Sequence, residues 1–131
     1  MGPTMIVGIG VDLIEVPRIA DALAHPRTGS RFEARVFTPA EIAYCRKRRS
    51  FAESFAARFA AKEATMKALG RGYLGGGVGW LQIEVVRERG RPTLTLTGRA
   101  KQHAESLGVV RLHLSVTHTA AFAVAYVIAE S

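Results

Sequence analysis

Hydrophobic and polar positions alternate, cluster and break along this chain in a way that predicts its elements. Met5 to Val11 (MIVGIGV) is short, apolar and β-branched, which suits a buried strand ending at Asp12 and a turn. Pro17, then Ile19, Ala20 and Leu23, predict a short helix to about Ala24. Residues 25–31 (HPRTGSR) read as loop. Two capping boxes follow, Thr38-Pro39-Ala40-Glu41 and Ser50-Phe51-Ala52-Glu53. The second opens a long helix to about Leu69, stopped by Gly70. Residues 70–79 form a glycine-rich loop, and Trp80 to Val86 alternates as a strand. Arg89-Gly90-Arg91-Pro92 reads as a turn, with Thr93 to Thr97 returning as a strand. Arg99 to Leu107 reads as a helix ended by Gly108. Val110 to Thr117 alternates, with Val110, Leu112, Leu114 and Val116 on one face. Residues 121–129 (AFAVAYVIA) form a last, nearly continuous apolar strand. The order predicts an α+β domain over residues 5–131, with residues 1–4 an artificial leader or an alternative start.

The long helix departs from the usual amphipathic pattern. Phe51, Phe55, Phe59, Met66 and Leu69 fall within about 80° of one another at 100° per residue. Ala56, Ala57, Ala60, Ala61, Ala64 and Ala68 fill the opposite side, small enough for another backbone to approach closely. A helix apolar on both sides is mostly buried. Arg58 and Lys62 nonetheless project close to the phenylalanine stripe, and Glu63 lies about 40° from Phe59. Buried charges cost several kcal/mol unless paired or used.

Composition narrows the function. The 131 residues make one domain, and a single cysteine, Cys45, excludes both an internal disulfide and a cysteine-built metal site. No apolar run approaches the ~20 residues of a membrane span. Met5 to Val11 is too short for the apolar region of a signal peptide, so a cytoplasmic protein is expected. Eighteen basic residues against eleven acidic ones give +7, of which residues 41–71 carry +5. Such a surface attracts anions: nucleic acid, acidic lipid, phosphorylated metabolites or an acidic protein.

Three segments could carry chemistry. Asp12 is either a turn aspartate or one ligand of a magnesium ion, which often needs only one or two carboxylates beside substrate phosphates. Glu63 either pairs with Lys67 at i,i+4 or is the second ligand, with Arg58, Lys62 and Lys67 available to phosphate charge. His118 is either a structural strand-end histidine or part of a site in Ser115-Val116-Thr117-His118-Thr119. A hydrolase built on Ser115 and His118 is discounted, because there is no nucleophile elbow and no acid placed to orient the histidine. The loop Gly72 to Gly79 lacks the spacing of a P-loop or a dinucleotide turn. The run Arg46 to Arg49 reads as a solvated face.

Taken together, Gly8-Ile9-Gly10-Val11-Asp12-Leu13, Phe55-Ala56-Ala57-Arg58-Phe59-Ala60-Ala61-Lys62-Glu63-Ala64-Thr65-Met66-Lys67-Ala68 and Leu114-Ser115-Val116-Thr117-His118-Thr119 closely resemble the holo-acyl-carrier-protein synthases, the small bacterial 4′-phosphopantetheinyl transferases. The resemblance runs from Met5 to the C-terminus and is strongest at Lys62-Glu63-Ala64 with Lys67. It implies an α+β phosphopantetheinyl transferase fold, with an antiparallel sheet packed on a long central helix, and a homotrimer with active sites between subunits. It implies transfer of the phosphopantetheine arm of coenzyme A to a serine of apo acyl carrier protein, releasing adenosine 3′,5′-bisphosphate, in support of fatty acid or polyketide synthesis. On this resemblance Asp12 and Glu63 match magnesium-binding carboxylates, and Lys67 a lysine beside the pyrophosphate. Arg58 and His118, with Thr119, Gly90 and Pro92, match coenzyme A contacts, and Arg18 a carrier-protein contact on the first helix. Met66 stands where the family often has a small hydroxyl residue. The residue chemistry agrees: attack on a phosphoanhydride needs charge neutralised on the pyrophosphate oxygens, and a base, Glu63 or a water it orients, with His118 as second choice.

Two rivals are weaker. A nucleic-acid-binding module would interleave basic side chains with exposed aromatics, whereas these phenylalanines sit at helical core spacing. A magnesium-dependent phosphohydrolase lacks an obvious water-activating cluster.

Overall fold

The first strand, β1, spans Ile6–Glu15 and continues past Asp12. Asp12 therefore sits inside a strand, paired with Ala125, rather than at a turn. The strand runs on because β5 (Phe122–Glu130) supplies ladder partners as far as Glu15. The computed structural model describes residues 2–70 and 79–131, so the glycine-rich loop read at 70–79 lies almost wholly outside the described residues.

β1 leads into α1 (Val16–Ala24), whose first turn holds Pro17 and which buries Val16, Ile19 and Leu23. The loop read at 25–31 is cut short by a helix, α2 (Gly29–Val36), that the pattern does not announce. Its start is written in turn formers, Pro26, Thr28, Gly29 and Ser30, and it buries only Gly29 and Val36. Gly29 is required by closeness: a Cβ there would stand 2.2 Å from the Leu23 carbonyl oxygen of α1.

α3 (Pro39–Arg46) opens on the expected capping box. The Thr38 hydroxyl accepts from the Glu41 amide at 3.2 Å, and the Glu41 carboxylate accepts from the Thr38 amide at 2.8 Å. The box expected at Ser50 does not form. α4 (Phe51–Ala68) begins after Ser50, which has ψ 59 instead of the extended conformation of a cap and makes no side-chain cap bond. Residues Trp80–Gln82 make a single 3₁₀ turn, so the strand expected from Trp80 starts later, as β2 (Ile83–Glu88). β3 (Arg91–Leu96) follows a two-residue turn, Arg89-Gly90, both with positive φ, the geometry that suits the twist of a hairpin. α5 (Gly98–Ser106) and β4 (Arg111–His118) complete the described elements before β5.

The sheets are antiparallel: a three-stranded one in the order β1-β5-β4, and the β2-β3 hairpin. α4 lies on the larger sheet through Ala56, Ala57, Ala60, Ala61, Ala64 and Ala68, all six of which are buried. A Cβ at Gly8 would stand 1.8 Å from the Ala68 carbonyl oxygen, and one at Gly10 would stand 1.9 Å from that of Ala64. Glycine at two successive inward positions of β1 is thus what lets helix and strand touch backbone to backbone. On the other side of α4, Phe55 packs on Phe37 and Phe59 stacks on Trp80, with ring centroids 4.8 and 5.0 Å apart. The apolar runs of β1 and β5 are covered on one face only. Ile9, Val11, Leu13, Phe122 and Tyr126 remain between 44% and 60% exposed, against the expectation of a fully buried first strand.

Candidate active site

Inward positions of β1 alternate as Gly8, Gly10, Asp12. The glycines bring the strand against α4, and the carboxylate that follows reaches the flank of the helix. Lys67 of α4 donates to Asp12 Oδ1 at 3.2 Å and to the Val11 carbonyl oxygen at 3.0 Å. Lys67 therefore reaches across to β1, where the i,i+4 reading had it serving Glu63. Burial pushes the Asp12 carboxyl up, against the hydrogen bond and charge of Lys67. Glu63 is also pushed up, by burial first and then by the Asp12 charge, with Lys67 opposing. Two half-buried carboxylates that repel each other around one ammonium are short of positive charge.

Their donor chemistry fits a hard divalent cation such as magnesium. No group of three or more His, Cys, Asp or Glu capable of holding a metal gathers among the described residues. A cation held by Asp12 and Glu63 would thus need its remaining ligands from water or a substrate's phosphates.

Lys62 is placed differently from the expectation that it is available to phosphate. Its side chain is 0% exposed and pairs with Glu41 at 2.6 Å. Its ammonium also donates to the Val36 and Trp80 carbonyl oxygens, at 2.8 and 3.0 Å. Every donor faces the interior, so Lys62 belongs to the scaffold.

A second group of charges lies near the other end of α4. Arg58 is 7% exposed, and its guanidinium sits over the Tyr44 ring at 4.1 Å. Arg48 and Arg87 approach the same ring at 5.3 and 5.9 Å. These residues, with Pro92 and His118, line a cleft of about 260 Å³. An adjoining hollow of about 500 Å³ adds Lys47, Arg49 and Glu53 to Arg48 and His118. The buried Arg58 Nε has no hydrogen-bond partner among the described residues. A cationic cleft with an unused buried donor is built for an anion.

The structure thus brings Asp12, Glu63 and Lys67 together, and separately Arg58, Pro92 and His118. In the sheet, β5 lies between the strand of Asp12 and the strand of His118. Gly90 stands at the hairpin tip, where its carbonyl oxygen accepts from Arg87 at 2.7 Å. Thr119 closes the turn into β5, its hydroxyl accepting from the Ala121 and Phe122 amides at 3.1 Å each. Arg18 is exposed on α1. Tyr44 and Arg87 line these hollows without any signal in the sequence, and Arg48 and Glu53, which read as part of a charge run and as a cap, line them too. Three of the four basic residues of the 46–49 run, read as a solvated face, line these hollows. Arg46 instead pairs with Glu33 and lies over Phe51 and Phe55. Their signal is only a charge run that directly precedes Ser50, the first residue of the box that does not form.

Residues 8–127 match the 4′-phosphopantetheinyl transferase superfamily. A holo-acyl-carrier-protein synthase of Koribacter versatilis is 55% identical over 127 residues, covering 96% of this chain and 99% of the relative. The crystal structure of a holo-acyl-carrier-protein synthase from Bacillus anthracis, in complex with CoA (3′,5′-ADP), is 38% identical with a TM-score of 0.77, covering 97% of this chain and 98% of that one. The enzyme of the same name from Neisseria meningitidis is 32% identical with a TM-score of 0.85, covering 97% of this chain and 100% of that one.

Proposed function

The chain belongs to the 4′-phosphopantetheinyl transferase superfamily, and from that premise we propose that it moves the phosphopantetheine arm of coenzyme A onto a serine of an apo acyl carrier protein, in support of fatty acid or polyketide synthesis. The single observation that carries this reading is the meeting of Asp12, Glu63 and Lys67 on the contact line of β1 and α4. Coenzyme A carries a diphosphate and a separate phosphomonoester. The acid pair and Lys67 take the diphosphate, and the Arg58–His118 cleft, with Pro92 on its wall and Gly90 and Thr119 beside it, takes the rest of the cofactor.

Asp12 and Glu63 would hold a magnesium ion, which would supply positive charge to the diphosphate. Lys67 donates to the phosphate that leaves. Glu63, or a water it orients, accepts the proton of the serine hydroxyl. The serine oxygen bonds to the pantetheine-bearing phosphorus, the anhydride bond breaks, and adenosine 3′,5′-bisphosphate departs.

The exposed apolar face of β1 and β5 supports a homotrimer, in which one copy's acid pair works with a neighbour's cleft. No helix among the described residues is long and apolar enough to cross a membrane.

The direct test incubates the protein with magnesium, coenzyme A and apo carrier protein, and weighs the carrier. A gain of one phosphopantetheine is expected; no gain refutes the reading. Carrier proteins are acidic, and Arg18, exposed on α1, would meet them. Arg18→Glu is expected to raise the KM for carrier protein roughly tenfold at low salt with the coenzyme A KM unchanged. Equal loss of both affinities would remove Arg18 from the docking surface.

The raised Glu63 carboxyl has a further consequence. A group whose folded pKa lies above its unfolded value costs stability once ionised, and that cost vanishes as pH falls through the unfolded pKa. Metal-free Glu63→Gln should therefore melt above the wild type at neutral pH. The gap should close as pH falls into the carboxylate range. Magnesium should stabilise the wild type and not the variant. Thermal melts across pH, with and without magnesium, read all three, and a gap that widens in acid contradicts the assignment.

A further inference from the structure

Glu53 occupies the third position of a helix whose preceding residue, Ser50, is a good cap by type. In a capping box its carboxylate would turn back to the Ser50 amide. It does not: the Ser50 side chain makes no cap bond, and Glu53 Oε1 lies 2.9 Å from His118 Nδ1 at the end of β4. Both side chains line the hollow that Lys47, Arg48 and Arg49 make cationic, and His118 also lines the smaller cleft beside Arg58. A carboxylate diverted from its local structural task to a histidine of a cationic cleft has a use there.

An ionised carboxylate only accepts hydrogen bonds, so His118 Nδ1 carries the hydrogen. The other ring nitrogen points away from Glu53 and is the one left for a ligand. Resting on the reading of this cleft as the coenzyme A site, we propose that Glu53 is its positioning residue: the carboxylate fixes the rotation and tautomer of the His118 ring, so that Nε2 alone is presented to the cofactor. Glu53 itself touches no reacting atom. The same logic recurs in metal and triad histidines, whose free nitrogen is set by the bond the other one makes.

The test compares Glu53→Ala, Glu53→Gln, His118→Ala and the double alanine variant in the full chain. Glu53→Ala is expected to raise the KM for coenzyme A about tenfold, the worth of one charge-assisted hydrogen bond, with kcat and the carrier-protein KM little changed. Glu53→Gln keeps an amide oxygen that accepts from Nδ1, and should stay within about threefold of the wild type. In the His118→Ala background, Glu53→Ala should add nothing, because the residue acts only through the ring. Ring ¹⁵N shifts, read without substrate at a pH where imidazole is neutral, should report the Nδ1-protonated tautomer in wild type and Glu53→Gln, and a mixture in Glu53→Ala.

An unchanged coenzyme A KM in Glu53→Ala, an additive double variant or an unchanged tautomer each overturns the proposal. The ring spectrum needs no turnover. A wild type that transfers nothing therefore sinks the functional reading, while the spectrum still decides whether Glu53 sets the ring.

Discussion

Alanine at Asp12 or Glu63 is expected to cut pantetheinyl transfer by about a thousandfold or more, and to leave a folded protein. Removing one preorganised charge-stabilising group from a transfer site typically costs 10²–10³ in rate, and here each carboxylate is half of the cation-binding pair. The fold should survive because neither residue holds the core together. The Asp12 side chain is 13% exposed, and among the described residues its one pairing is with a Lys67 that is itself 52% exposed. Glu63 is raised by burial first and then by the Asp12 charge, so its loss relieves desolvation and repulsion. The expected pair of results is a near-zero rate at saturating magnesium and a melting temperature at or above the wild type. Lys67→Ala should fall between, since it removes charge from the diphosphate without removing either metal ligand. Full activity of either carboxylate variant would refute the assignment.

Where local chemistry decides, the sequence is readable; where distant segments decide, it is not. The Thr38 box needs only four consecutive residues and forms as read. The Ser50 box has the same letters and fails, because His118, 65 residues away, competes for Glu53. Asp12 looks like a strand end in the sequence because β5, which extends the ladder to Glu15, lies more than a hundred residues downstream. α2 is hidden in the sequence because its first residues favour turns, and its glycine is dictated by contact with α1 rather than by its own neighbours. The Ala face of α4 was legible, since small residues at helical spacing predict close approach. The answering glycines of β1 were present in the motif, but only the structure pairs Gly8 with Ala68 and Gly10 with Ala64. Lys62 shows the sharpest divergence: one residue before Glu63 in sequence, it points about 100° away around the helix and into the interior.

That placement makes Lys62→Met the most damaging substitution for stability. Lys62 and Glu41 are both 0% exposed in their side chains. Burial pulls the Lys62 ammonium down, and the Glu41 charge and hydrogen bond pull it back. Besides Lys62, the Glu41 carboxylate holds the Thr38 and Val85 amides at 2.8 Å each. The pair thus joins α3, α4 and β2, and through the two carbonyl oxygens that Lys62 meets, the end of α2 and the Trp80 turn as well. Methionine fills the volume but leaves Glu41 charged, buried and without its cation. Breaking a buried pair from one side costs about 3–5 kcal/mol, a large share of the roughly 5–15 kcal/mol that holds a domain together. The melting temperature is expected to fall by roughly 10–20 °C. Lys62→Met with Glu41→Gln should recover part of the loss, because a buried neutral amide costs less than a lone carboxylate. Turnover per folded molecule below the melting point should stay within about tenfold of the wild type, since every Lys62 donor faces inward. If instead the variant melts as the wild type does and loses transfer as Lys67→Ala does, Lys62 works on phosphate and the scaffold reading is wrong.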